Sequence, residues 1–111
     1  MSYRLEQVNS LIQQKLGEVF TREIEFPIEF FVTISKVDID KDLRAGKIYI
    51  SVIPFNQSKN ALGLLIRRKK EIQRALGKLT KLQFTPALTF RIDDTEEEAA
   101  KIEQLINEAN S

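Results

Sequence analysis

The sequence predicts an α+β fold in which seven elements run α-β-β-α-α-β-α, with a three-stranded sheet and helices packed on a face. Two observations carry this. Apolar residues recur at helical spacing in four stretches and alternate along three others, in that order. No repeat, low-complexity tract or Pro/Gly-rich linker interrupts the 111 residues, so one domain over 1–111 is expected.

From Tyr3 to about Arg22, Leu5, Val8, Leu11, Ile12, Leu16, Val19 and Phe20 form one stripe of a helix whose opposite side is Glu and Gln. Pro27 stops it. Phe30 to Ile39 reads as a strand. Phe30, Val32 and Ile34 alternate, then Val37 and Ile39 resume one position out of phase, which predicts a bulge near Ser35-Lys36. A polar turn from Asp40 to Gly46 leads into a second strand, Lys47 to Phe55. Ile48, Ile50 and Val52 share one face of it, and Lys47, Tyr49 and Ser51 the other; the two strands should form an antiparallel hairpin.

Ser58 is the expected N-cap of a helix through Ala61, Leu62, Leu65 and Ile66, and the pattern resumes at Ile72, Ala75, Leu76 and Leu79. Between the halves stands Arg67-Arg68-Lys69-Lys70, with no apolar position. Either one helix turns its charged side outward there or two helices meet at a bend. Leu82, Phe84, Leu88, Phe90 and Ile92 share one parity and predict a third strand; Pro86 within it belongs on an edge or at a bulge. Asp94 and Thr95 open a last helix with the stripe Ala99, Ile102, Leu105 and Ile106. Thr95 and Glu98 form its capping box, and Asp94, Glu96 and Glu97 lie near the positive end of its dipole.

Composition excludes much chemistry. Cys and His are both absent, which removes the thiol nucleophile, the commonest general base and the commonest zinc ligands. Asp38, Asp40 and Asp42 imitate the start of a calcium loop, yet Leu43 stands where glycine is needed and Tyr49 where glutamate is needed. Gly77-Lys78 hints at a phosphate loop but is followed by Leu79, with Ile72 at the earlier glycine position. The acidic cluster Asp93 to Glu98 is accounted for by capping and dipole compensation. No enzyme, metal or cofactor is expected. No apolar block resembles a signal peptide or a membrane span, and the lack of cysteine fits a reducing compartment, so a cytoplasmic location is expected.

The net charge of +1 hides a strong division. Residues 1–58 carry 7 basic and 8 acidic side chains, and residues 92–111 carry Lys101 against 7 acids. Residues 59–91 carry Lys59, Arg67, Arg68, Lys69, Lys70, Arg74, Lys78, Lys81 and Arg91 against Glu71 alone. A merely solubilising helix face mixes signs, whereas a one-signed stretch suits a polyanion: the cations neutralise phosphates and release counterions. The candidate RNA-binding residues are therefore Arg67, Arg68, Lys69, Lys70, Arg74 and Lys78, flanked by Lys59 and Lys81. Tyr49, on the polar parity of its strand, is placed to stack on a base; Phe30, Phe84 and Phe90 share the core parity. So few exposed aromatics suit recognition of shape and phosphate rather than base-by-base reading.

Four segments in order carry a family likeness: Thr21-Arg22-Glu23-Ile24; Val32-Thr33-Ile34 with Val37; Asp42-Leu43 through Lys47-Ile48-Tyr49-Ile50-Ser51; and Leu82 through Phe90 followed by Asp93. On these the chain resembles ribosome-binding factor A, a bacterial small-subunit assembly factor, over about residues 4–106. The resemblance implies a type II KH-like fold, binding to small-subunit ribosomal RNA in immature 30S particles, and help with 16S maturation and subunit assembly by a monomer without cofactor. In such domains the turn between the two middle helices approaches the RNA, and the family usually has an Ala-x-Gly kink there. Here the matching positions are Arg68-Lys69-Lys70, which supply charge where the family supplies a bend. Gln7 and Ala87 depart from the family's usual arginine and glutamate. A different reading keeps the fold but gives the basic strip an acidic protein partner; nuclease treatment separates the two.

Overall fold

The computed structural model describes residues 2–81 and 85–95. Helix α1 (Ser2–Glu23) is followed by strands β1 (Phe31–Ile39) and β2 (Ala45–Ile53). A short 3-10 turn (Phe55–Gln57) then leads into helices α2 (Ser58–Arg67) and α3 (Lys69–Thr80) and strand β3 (Ala87–Ile92). The three strands lie in the order β1-β2-β3; β1 and β2 are antiparallel and β3 runs parallel to β2. This is the expected α+β order as far as β3. The expected last helix lies, from residue 96 onward, outside the described residues.

The stripe read from α1 is the buried one: Ile12 and Leu16 are fully buried, with Val19 and Phe20 nearly so. They meet Ile48, Ile50, Val52, Leu65, Ile72, Leu76 and Leu88 in one core. The described helices α1, α2 and α3 therefore cover the same face of the sheet, the face to which Ile48, Ile50 and Val52 point. Two helix amides also close the sheet's open edges. The Ile39 N–H on β1 donates to Asn9 Oδ1 at 2.9 Å, and the Leu88 N–H on β3 donates to Gln73 Oε1 at 3.1 Å. Each occupies an edge donor that would otherwise be free to pair with another chain.

The bulge falls where the phase slip places it, between Ile34 and Lys36. At the far end of the hairpin Gly46 faces Ile39 so closely that a Cβ there would run into the Ile39 side chain. The turn itself closes with the Leu43 N–H on the Asp40 carbonyl at 2.9 Å, and Leu43 adopts φ 61°.

Three expectations need correction, each for a local reason. Strand β2 ends at Ile53, not Phe55, because Pro54 has no N–H to continue the ladder and the chain turns into the 3-10 segment. Ser58 is the first helical residue rather than the N-cap. Gln57 holds the cap position, and the Ser58 hydroxyl instead donates to the Phe55 carbonyl at 2.6 Å. Strand β3 starts at Ala87, one residue after the buried Pro86, with the Ala87 N–H donating to the Arg44 carbonyl at 2.8 Å. Phe84 and Leu82 lie outside the described residues.

The choice between one helix and two is settled as two, joined at a single residue. Arg68 has φ −94° and ψ 5°, in the bridge region open to any L-residue, so the joint needs no glycine. The helical hydrogen bonds run through it: the Arg68 N–H donates to Leu64 and the Ile72 N–H donates to Arg68, both at 3.0 Å.

Candidate nucleic-acid interface

Burial of one side of each middle helix decides where its charges go. On α2, Ala61 and Leu65 are fully buried, so Lys59, Gly63 and Arg67, spaced by four, lie on the outward side. The Arg67 guanidinium folds back over Gly63: a Cβ at that glycine would stand 3.4 Å from Arg67 Nη1. On α3, Ile72 and Leu76 are fully buried, and Lys70, Arg74 and Lys78 form an exposed row on the opposite side. Lys81 ends α3 in the left-handed conformation, φ 55°, and is exposed. Lys69 is half-buried beside the joint.

Arg68 departs from the sequence reading, which has all four residues of Arg67-Arg68-Lys69-Lys70 fanning freely. Its Nη1 donates to both carboxylate oxygens of Glu71, at 3.0 and 3.3 Å. Half-exposed at both ends, this pair contributes little to stability but occupies the one acid in the basic stretch. Lys69 and Lys70 stand just past the joint, where the negative C-terminal end of α2 meets the positive start of α3 and the hydrogen bonds run through, so the two helix dipoles largely offset each other there.

A residue the sequence reading left out joins this surface. Arg22, in the last turn of α1, lines a cleft of about 330 Å³ between α1 and α3 together with Arg74 and Lys78. Glu23 and Glu71 share the rim, and Val19 and Leu79 line it as well. Arg22 escapes a charge sum taken along the chain because it lies in the nearly neutral first 58 residues and reaches the basic row only through the packing of α1 on α3.

Arg91 moves the other way. It is counted in the basic middle, yet on β3 it alternates with buried Leu88 and Phe90 and so points from the face that α1, α2 and α3 leave uncovered among the described residues. There Lys36, Tyr49 and Arg91 are register partners across the three strands. Lys36 Nζ sits 5.8 Å from the Tyr49 ring centroid, so a lysine already occupies the ring that is expected to stack on a base. Phe30 and Phe90 are buried as expected, in a cluster with Phe20 and Phe26 at centroid separations of 5.7 to 6.5 Å.

The remaining candidates are structural. Gly77 lies within α3 against Thr85, not in a phosphate-cradling loop. The Asp42 carboxylate accepts the Arg44 N–H at 3.2 Å and belongs to the hairpin turn. Asp93 accepts the Thr95 N–H at 3.0 Å. Hydrogen bonds from Thr95 and Ser35 hold its carboxyl down at about 2, below the ordinary 3.8, with Lys36 adding attraction. No group of three acids able to hold a metal occurs among the described residues, and no described helix is long and apolar enough to cross a membrane.

Comparison with known proteins adds a consistent picture. The family model described as ribosome-binding factor A matches residues 4–106. A ribosome-binding factor A of Bdellovibrio bacteriovorus is 35% identical over 106 residues, covering 95% of this chain and 79% of that one. The solution structure of a Thermotoga maritima candidate ribosome binding factor A superposes with a TM-score of 0.68 at 28% identity, over 82% of this chain and 88% of that one. A homology model of the Thermus thermophilus factor, fitted into a cryo-EM map of its 30S complex, gives 0.67 at 23% identity over 78% and 91% of the two chains, a likeness of fold.

Proposed function

The chain belongs to the ribosome-binding factor A family, and from that premise we propose that it binds small-subunit ribosomal RNA in immature 30S particles and assists 16S maturation and subunit assembly. It acts by binding, not catalysis, as a cytoplasmic monomer whose residues 1–111 form one type II KH-like domain completed by a C-terminal helix. The observation that supports this best is the burial pattern of α2 and α3. Lys59, Arg67, Lys70, Arg74 and Lys78 fall opposite the buried Ala61, Leu65, Ile72 and Leu76, and Lys81 extends the row.

The mechanism is electrostatic positioning. Guanidinium and ammonium groups along two joined helices follow phosphates, and Arg22 from α1 widens the strip at the cleft. Lys69 adds charge at the joint, while Arg68 reaches phosphate only by exchanging Glu71 for it, which makes Arg68 the weakest of the eight candidates. The direct test is co-sedimentation with precursor small subunits over a salt series. About four phosphate contacts give a log–log slope of roughly −3 to −4. Association that ignores salt would count against a phosphate-tracking strip, and association that survives nuclease would transfer the strip to a protein partner.

A further inference from the structure

Phosphate tracking explains only part of the cleft between α1 and α3. Arg22, Arg74 and Lys78 suit phosphate, but Glu23 and Glu71 stand on the same rim, and Val19, Ala75 and Leu79 give the floor an apolar strip. Glu71 is held by Arg68 at 3.0 Å. Glu23 is exposed at the last residue of α1. Among the described residues its side chain forms no ion pair or hydrogen bond, and neither do those of Arg22, Arg74 and Lys78. A carboxylate beside three cations lowers their attraction for phosphate, so a surface that only follows a backbone gains nothing from it.

Building on the RNA-binding reading above, we propose that this cleft takes one unstacked guanine nucleotide of the bound RNA, its phosphate on Arg74 and Lys78 and its base edge on Glu23. Size, floor and charge each point the same way. The cleft of about 330 Å³ stands at the small end of ligand sites, which run from roughly 300 to 1,000 Å³, and so suits a single nucleotide rather than a length of duplex. Its apolar floor accepts the face of a base, and Arg22 brings a planar guanidinium of the kind on which unstacked bases lie.

Charge sets the orientation and the base. The Glu23 carboxylate can only accept hydrogen bonds, through two oxygens, and it ends α1, where the helix dipole is negative. That end of the cleft selects a base edge with adjacent donors. Guanine presents an imino N–H beside an amino group. Adenine and cytosine place a ring acceptor beside theirs, and uracil flanks its N–H with two carbonyls. The phosphate then falls toward α3, where Arg74 and Lys78 continue the row from Lys70.

Hairpin RNAs of equal charge, each with one bulged G, A or U, test this by filter binding to the full chain. The G hairpin should bind at least about fivefold tighter than the other two, the lower end for a base-edge pair. Glu23→Ala should erase that preference by weakening the G hairpin alone. Arg22→Ala should weaken the G hairpin more than a fully paired hairpin. Both side chains are exposed, so neither replacement disturbs the core. Equal affinity for the three bulges overturns the proposal, and so does an equal Arg22→Ala loss on the paired hairpin. Glu23→Ala tightening all three alike, the result for a surface that senses charge alone, overturns it too. Each of these leaves the RNA-binding reading in place while affinity still falls with salt; salt-independent affinity for every hairpin removes that reading and the cleft assignment together.

Discussion

Replacing Lys70, Arg74 and Lys78 together with Ala should weaken RNA binding and, more tellingly, flatten its salt dependence. The three side chains stand four residues apart on the exposed side of α3, a row about 12 Å long at 1.5 Å rise per residue. None of them forms an ion pair or hydrogen bond among the described residues, so each is available to a phosphate. Each phosphate neutralised contributes roughly 0.7–0.9 to the slope of log affinity against log salt, so the triple variant should lose about 2–3 of it. Between 50 and 200 mM salt, affinity of the unmodified chain should then fall roughly 20–60-fold more steeply than that of the variant. Filter binding to small-subunit RNA at four salt concentrations measures this, and a melting curve checks the fold. Exposed substitutions to a strong helix former should shift stability by only about 0.5 kcal/mol or less. Two single variants sharpen the result. Arg91→Ala, on the other side of the sheet, should leave the slope alone, and Arg68→Ala should reduce it by less than any member of the row because Glu71 already holds that guanidinium. If the triple variant keeps the slope of the unmodified chain, or if Arg91→Ala lowers it as much, the phosphate-tracking surface is not on α2 and α3.

Further outcomes concern the scaffold. Leu76→Ala, at a fully buried position between α1, α3 and the sheet, should cost about 2–5 kcal/mol in a denaturant titration, without changing the salt slope of whatever binding remains. Asn9→Ala leaves the Ile39 N–H on the β1 edge without its acceptor and should cost about 1–2 kcal/mol, with faster exchange at that amide; unchanged exchange would remove Asn9 from edge protection. Gly46→Ala forces a methyl into Ile39 and should destabilise the hairpin by about 1–3 kcal/mol, read as a lower denaturation midpoint. Asp93 has its carboxyl held below the ordinary value, so it contributes stability that is complete above about pH 4 and lost as the pH falls through 2. In Asp93→Asn that component is absent at every pH, and the stability gap between the two proteins should narrow from pH 4 to pH 2. A constant gap refutes the hydrogen bonds to Thr95 and Ser35 as its cause.

Much of this protein is written in short-range pattern. The stripe from Leu5 to Phe20, the alternation of Ile48, Ile50 and Val52, and even the phase slip at Ser35-Lys36 all read directly into structure, because helix and strand periods are local properties of the backbone. The basic row was legible for the same reason: once Ile72 and Leu76 face the core, Lys70, Arg74 and Lys78 can only face away. The helix joint at Arg68 was not, since its bridge-region backbone suits any side chain and leaves no mark in residue type. Nor was the parallel placement of β3, which is decided by how the α2–α3 crossover packs on the sheet. That placement sends Arg91 to the uncovered face and leaves it beside Tyr49 and Lys36, while the docking of α1 on α3 brings Arg22 to Arg74 and Lys78. Charge counted along a chain measures what a segment carries; which charges share a surface depends on contacts between residues far apart in sequence, and only the tertiary structure supplies those.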